Sequence, residues 1–346
     1  VCYHLTSTTM VLAKKYVVIT PFVGEPKPEN FITSEEELRP LEKNEFLAEA
    51  MYISVDPYQR MKLGNTFPCD MIGGQIARIT ESQNPEYPVG ALVMGHFGWR
   101  THTIVHPDNA KLCGQKPYMY LLPDFGGLPV SLGLGMCGRV GNTAYFGFTE
   151  ICKPVAGETV VVSGAAGAVG SHVGQIAKII GCRVIGIAGS DDKCAWLVNE
   201  LGFDCAANYK TVNIADYLKK NAPNGVDCYF DNVGGEISST VVAHMNEFGR
   251  VAVCGAISVY NETDPMKRKG TFLQPFIVGK QLKIEGFQVN RFAERTAEGI
   301  RQNLQWVKEG KLKYKNHIYD GFESTVDAFI GLFKGDNTGK SIVKVN

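Results

Sequence analysis

VVVSGAAGAVGSHVGQIAK, residues 160–178, is a short apolar run closed by Gly164, Gly167 and Gly170 and followed by a segment of helical composition. A diphosphate seated on a strand-to-helix turn needs a tight turn, a close backbone approach and open amides at a helix N-terminus. One glycine can serve each need. The candidate contacts are Gly164, Ala166, Gly167, Ala168, Val169 and Gly170. The spacing is GxxGxxG rather than GxGxxG, so a glycine-rich helix entry without a ligand is the alternative. A strand before the turn, with a helix and a second strand after it, favours dinucleotide binding.

Downstream the pattern is regular. A strand at 182–189 leads to a helix over 191–201, and further strands are expected at 205–208, 226–230, 250–254 and 282–287. Strands alternating with helices predict a parallel sheet covered on both faces. A helix over 295–309 ends at Gly310. Upstream, residues 1–130 carry short strand-like runs (16–19, 46–53, 74–79, 91–94, 101–105) separated by Gly and Pro, which predicts a mostly β, partly barrel-like domain. The glycine-rich 132–152 fits close helix packing at a domain junction. The last thirty residues, with a helical STVDAFIGLFKG and a strand-like KSIVKV, can return to the first domain.

The second strand ends at Ala188-Gly189-Ser190, where an NAD site commonly has an acid for the ribose hydroxyls. Asp191 can still fill that role. Ser190 can donate to a 2′-phosphate and Lys193 can neutralise it, so NADP(H) is preferred; a solvated helix lysine is the plainer reading of Lys193. Tyr209 and Lys210 can add a hydroxyl and a charge. Asn232, after the fourth strand, and Cys254, Ala256 and Ser258, after the fifth, occupy carboxyl ends of strands, where ligands sit; each stretch can also be an ordinary turn.

Lys+Arg and Asp+Glu are both 35 in 346 residues. That balance gives no reason to expect nucleic acid or an acidic membrane surface as partner. No transmembrane run and no secretory signal is read. The 10 cysteines are scattered without a CxxC pair, so no structural zinc is expected. Cys182, Cys228 and Cys254 are expected as buried free thiols, in keeping with a reducing, cytoplasmic compartment.

Nearly the whole chain resembles the zinc-independent medium-chain reductases, and among them the prostaglandin reductase (leukotriene B4 12-hydroxydehydrogenase) family. The resemblance is carried by SVDPYQR at 54–60, NTAYFGFTEIC at 142–152, GAAGAVGSHVGQIAK at 164–178 and LGFDCAANYK at 201–210. It continues through VDCYFDNVGGEIS at 226–238, CGAISVYN at 254–261 and KGDNTGKSIVKV at 334–345. It implies an α/β protein with a Rossmann doubly wound parallel sheet at 131–315 and a β-rich GroES-like catalytic domain from 1–130 with 316–346. It implies NADPH as hydride donor. Gly167 and Gly170 fall on the pyrophosphate turn, and Lys193 and Tyr209 at the adenosine phosphate end. Asn232, Cys254 and Asn337 fall on cofactor-contact positions, the last near the nicotinamide. Tyr260 matches a tyrosine that reaches the substrate carbonyl or cofactor, and Tyr58 is a candidate for the substrate pocket.

The chain departs from the family in two places. Where the family often reads GMPGLTAYFG, this chain has Gly138-Arg139-Val140-Gly141-Asn142, with no proline and an added arginine. The loop 266–269 carries three basic residues, which can favour a carboxylate-bearing substrate or simply be solvated. Zinc-dependent relatives carry a Gly-His-Glu segment; here the region reads Met71-Ile72-Gly73-Gly74-Gln75, without His or Glu, so no metal site is expected. The expected chemistry is hydride transfer to the β carbon of an α,β-unsaturated ketone or aldehyde, such as a 15-oxo-prostaglandin or an alkenal, with the Tyr260 hydroxyl as one donor to the developing enolate. The alternatives are an NADP-dependent quinone reductase or alcohol dehydrogenase, or a non-catalytic NADPH-binding structural protein. A homodimer paired through the edge of the strand at 282–287, or a monomer, both fit.

Overall fold

A computed structural model describes residues 10–64, 66–109, 119–268 and 270–346. Its centre is a six-stranded parallel sheet. From edge to edge the strands are Cys205–Asn208, Arg183–Ala188, Thr159–Ser163, Val226–Asp231, Met245–Val253 and Lys283–Gly286. In chain order this is 3-2-1-4-5-6, the doubly wound arrangement. Residues 160–162 show why an unbroken apolar run is needed here. Val160 and Val162 face the core cluster holding Ile176 and Phe230, whereas Val161 faces the cluster on the other side, with Ile185 and Leu218. All three valines are fully buried. Each contributes roughly 1.5–3 kcal/mol by leaving water.

Residues 132–152, read as helix packing at a junction, form the 3-10 turn Val130–Leu134, the helix Arg139–Phe146 and a π-helical turn Gly147–Cys152. The fifth strand begins earlier than its apolar core suggests. Met245–Val253 bends where Phe248 takes φ 61°, and Cys254 sits one residue beyond its end, partly exposed at the carboxyl edge of the sheet rather than inside a strand. Cys182 and Cys228 are buried.

A seven-stranded, mainly antiparallel sheet flanks this unit. Its order is Asn316–Asp320, Lys340–Lys344, Phe46–Ser54, Gln75–Ser82, Leu92–Gly95 and Tyr120–Leu121, with His102–Val105 also on Phe46–Ser54. The C-terminal segment therefore does return to the N-terminal strands: Ile342 pairs with Ser54 and Val343 with Ile53. A three-stranded sheet, Phe31–Glu37, Leu12–Val18 and Cys69–Asp70, completes the β-rich part. Tyr16, Phe31, Trp99 and Phe329 pack beneath it, with Phe329 supplied by the helix Thr325–Lys334. Phe31–Glu37 and Asn316–Asp320 were not expected from the sequence.

Candidate active site

The glycine turn lies at the carboxyl end of the first parallel strand. Gly164 takes φ +58°, and Gly167 precedes the helix Ala168–Ile180. A Cβ on Gly170 would stand 2.4 Å from the Gly164 carbonyl oxygen and 2.8 Å from Ala165 Cα, so any side chain there would push strand and helix apart. Ala166, Ala168 and Val169 fill the same turn, and the first amides of the helix have no acceptor within it. This cradle fits a dinucleotide diphosphate in shape and in polarity.

At the tip of the second strand, Ser190 caps the helix Asp191–Asn199, its Oγ accepting the Lys193 N–H at 3.3 Å. The Lys193 ammonium donates to the Gly335 carbonyl at 2.6 Å. Burial lowers its pKa, the charge of Lys210 lowers it further, and Asp336 opposes both. Asp191 Oδ1 accepts from the Asn208 side chain at 2.9 Å, so one oxygen of the carboxylate is engaged within the protein. The Tyr209 ring covers Gly189, where a Cβ would meet it at 3.2 Å. Tyr209 also lines a cavity of about 600 Å³ with Gly234, Ser258, Lys267 and Arg268. Two of the three basic residues of the loop 266–269 thus face the Tyr209 side of the sheet edge; Lys269 lies outside the described residues.

Asp231 organises the next loop, and the sequence reading gave it no role. Its Oδ1 accepts from Ser163 Oγ at 3.0 Å, the Tyr229 hydroxyl at 2.8 Å and the Val233 and Gly234 amides at 2.9 Å each. Its position at a strand's carboxyl end, before two glycines, was the available signal. Beside it, the Asn232 amide donates to the Ser163 carbonyl at 2.8 Å, and the Ser258 hydroxyl to the Val233 carbonyl at 2.6 Å. The Cys254 N–H donates to the Asp231 carbonyl at 2.8 Å. Burial of its sulfur, with Asp231 adding, pushes its thiol up to about 12, so Cys254 is neutral.

Tyr260 folds back on this loop. The Ala256 N–H donates to its hydroxyl oxygen at 3.1 Å. Burial raises the Tyr260 pKa while the Ala256 contact lowers it, and the hydroxyl keeps its proton as a donor. The β-rich part meets Tyr260 through the short helix Tyr58–Lys62, where Arg60 Nε donates to the Tyr260 carbonyl at 2.7 Å. One helical step away, the Tyr58 hydroxyl lies 3.4 Å from His96 Nδ1, and the Arg139 guanidinium stands over the Tyr58 ring at 5.6 Å. The segment is anchored from beneath by the buried Lys340, which donates to Val55 O at 2.9 Å and lies 3.2 Å from Asp56. Arg60, Lys340 and Asp56 were not singled out from the sequence, because their partners are remote along the chain.

Asn337 is buried, its amide donating to the Gly339 carbonyl at 2.9 Å. The Gly339 amide in turn donates to Ala166 O at 2.8 Å, so the stretch holding Asn337 lies against the glycine turn. Turn, Asp231 loop, Tyr260 and Asn337 are thereby brought to one edge of the parallel sheet. Among the described residues, no group of three or more His, Cys, Asp or Glu side chains could hold a metal ion.

A 3-2-1-4-5-6 parallel sheet with this glycine turn, joined to a β-rich unit built from both ends of the chain, is the architecture of the medium-chain dehydrogenases/reductases. Residues 168–309 match the model of a family described as zinc-binding dehydrogenase, and residues 14–112 one described as N-terminal domain of oxidoreductase. Prostaglandin reductase 1 of Bos taurus is 48% identical over 97% of this chain and 100% of its own length. The 2-alkenal reductase (NADP(+)-dependent) of Nicotiana tabacum is 35% identical, covering 98% of each chain. The crystal structure of CurA from Vibrio vulnificus in complex with NADPH superposes with a TM-score of 0.87 at 35% identity, over 96% of this chain and 99% of that one. The chain belongs to the prostaglandin reductase family of the medium-chain dehydrogenases/reductases.

Proposed function

We propose that this chain is an NADPH-dependent reductase of the activated C=C bond of α,β-unsaturated ketones and aldehydes, with 15-oxo-prostaglandins and alkenals as its substrates. The relatives named as prostaglandin reductase and 2-alkenal reductase, and the NADPH complex of CurA, support that reading. The observation that carries it is the Ala256 N–H···Oη contact of Tyr260. An amide that donates to the phenol oxygen leaves the phenol proton to point at a substrate oxygen.

In this reading residues 131–315 hold the dinucleotide, and 1–130 with 316–346 close the cleft over the nicotinamide. Gly164, Ala166, Gly167, Ala168, Val169 and Gly170 receive the diphosphate. Ser190, Lys193 and Tyr209 receive the 2′-phosphate end, and Asn232, Cys254, Ala256, Ser258 and Asn337 border the rest. NADPH bound there supplies the hydride that the β carbon accepts. Tyr260 stabilises the negative charge that develops on the carbonyl oxygen. Tyr58 forms a wall of the substrate pocket, and the α carbon takes its proton from solvent. A cytoplasmic setting and a homodimer joined through the edge strand Lys283–Gly286 belong to the same proposal; a monomeric mass in sedimentation rejects the dimer.

The test is product analysis after incubation with NADPH and a 15-oxo-prostaglandin or an alkenal. Loss of the reduced-nicotinamide absorbance with a saturated ketone or aldehyde as product is the expected result. An allylic alcohol as product would overturn it in favour of carbonyl reduction.

A further inference from the structure

Tyr260 closes the 3-10 turn Ile257–Val259. Its N–H donates to the Ile257 carbonyl at 3.3 Å, that of Val259 to the Ala256 carbonyl at 3.0 Å, and the Ser258 hydroxyl ties the turn to the Val233 carbonyl. Gly255 leaves room for the phenol, since a Cβ there would stand 3.1 Å from its oxygen. From Tyr260 to the helix Gln274–Gly279 the described chain forms one short 3-10 turn, Pro265–Lys267. The ring is therefore anchored at its tip and on its N-terminal side within one loop. What holds its own carbonyl comes from elsewhere.

That group is Arg60, whose Nε donates to the Tyr260 carbonyl at 2.7 Å from 200 residues away in the chain. The guanidinium is itself clamped by the β-rich part. Its Cζ lies 5.5 Å from the ring centre of Phe22, in the loop after Leu12–Val18, and 6.0 Å from that of Phe333, on the helix Thr325–Lys334. Flanking rings fix the plane of a planar donor. The arrangement costs the fold something. Among the described residues, Arg60 Nη1 is buried without a hydrogen-bond partner, Nη2 reaches the Phe22 carbonyl only at 3.5 Å, and desolvation lowers the pKa of the group. A methionine would fill the space between two phenylalanines without those penalties. What the arginine adds is a rigid donor to the backbone of Tyr260.

We propose that Arg60 is a positioning residue for Tyr260: fixed in the β-rich part, it grips the Tyr260 backbone across the cleft and holds the phenol where it can donate to the substrate oxygen. The inference rests on the enone-reductase reading with Tyr260 as donor. Arg60 touches neither substrate nor cofactor in it, and its whole effect on turnover runs through Tyr260.

The experiment places Arg60→Met and Arg60→Lys in the wild type and in Tyr260→Phe, and follows turnover of an alkenal with NADPH. Arg60→Met should lower kcat by about 10- to 100-fold, the cost of a misplaced reacting group, with KM for NADPH nearly unchanged. In Tyr260→Phe the same substitution should cost little more, because the hydroxyl it positions is already gone. Arg60→Lys keeps a donor but not the planar fork. It should fall between, and it carries the same comparison if Arg60→Met does not fold. Amide exchange across residues 257–262 should quicken in both variants. Losses that multiply in the double variant, an unchanged kcat, or unchanged exchange overturn the inference. A wild type that reduces neither an alkenal nor a 15-oxo-prostaglandin overturns the enone reading on which it rests, and exchange at 257–262 then decides whether Arg60 grips the loop at all.

Discussion

The Lys193 ammonium and the Gly335 carbonyl lie 2.6 Å apart, so the cation at the second-strand tip is held by the C-terminal cap of the helix Thr325–Lys334. Such a tether fixes the charge before any phosphate arrives. Lys193→Ala should raise KM for NADPH by about 10- to 100-fold, the value of a charge-assisted contact, and hardly change that for NADH. Equal changes for the two cofactors, measured side by side, would remove the phosphate role.

Tyr260→Phe keeps the ring and deletes the hydroxyl that accepts the Ala256 N–H. We expect kcat for an enone to fall by about 10²- to 10³-fold, as for loss of one oxyanion donor, while NADPH affinity stays near that of the wild type. Unchanged turnover would exclude Tyr260 from the chemistry.

Gly170→Ala places a methyl group 2.4 Å from the Gly164 carbonyl oxygen. The backbone must give way, at a cost of roughly 1–3 kcal/mol of stability. NADPH binding, followed by fluorescence titration, should weaken with it. Retention of both wild-type melting and wild-type affinity would mean that the turn is looser than its geometry.

The six-stranded sheet and its glycine turn were legible because strands buried on both faces must be continuous apolar runs, and because the turn needs glycine. Phe31–Glu37 was not. Its FITSEEE ends in three acids, and Glu36 is neutralised by Lys15 at 3.0 Å and by Arg100, partners supplied by other parts of the chain. Cofactor candidates could be placed because they follow strand ends. Tyr58 and Arg139 drew notice only through the family resemblance, and their meeting with His96 and Asn290 could not be read, since four separated segments build it.

Asp231 was overlooked although its place at a strand's carboxyl end was a usable signal, and it supports a firm expectation. Asp231→Ala removes a buried acceptor of four hydrogen bonds and leaves the Ser163 hydroxyl and the Val233 and Gly234 amides without it, the Tyr229 hydroxyl keeping only Ser163 Oγ at 3.0 Å. Stability in urea should drop by about 2–4 kcal/mol, and Asp231→Asn should lose less. An unchanged urea midpoint in Asp231→Ala would contradict this.

His172 is fully buried, its Nε2 3.2 Å from Asn303 Oδ1, and burial holds its pKa down to about 4 despite that contact. An unfolded chain would protonate this imidazole near pH 6.5, the folded one only near 4. The unfolded state therefore binds more protons between those values, and stability is whole above 6.5 and lost as pH falls towards 4, by as much as roughly 3 kcal/mol. His172→Gln should flatten that part of the profile in denaturant titrations. A slope identical to the wild type would assign the acid sensitivity elsewhere.

The contact of Gly339 with Ala166 has a mechanical consequence. The strand that follows Gly339, Lys340–Lys344, is stitched into the other sheet through Phe46–Ser54. A load that pulled the two sheets apart would thus arrive at the backbone of the glycine turn itself. The grip on the dinucleotide and the seam between the sheets should loosen together, so that occupancy of one reports the closure of the other.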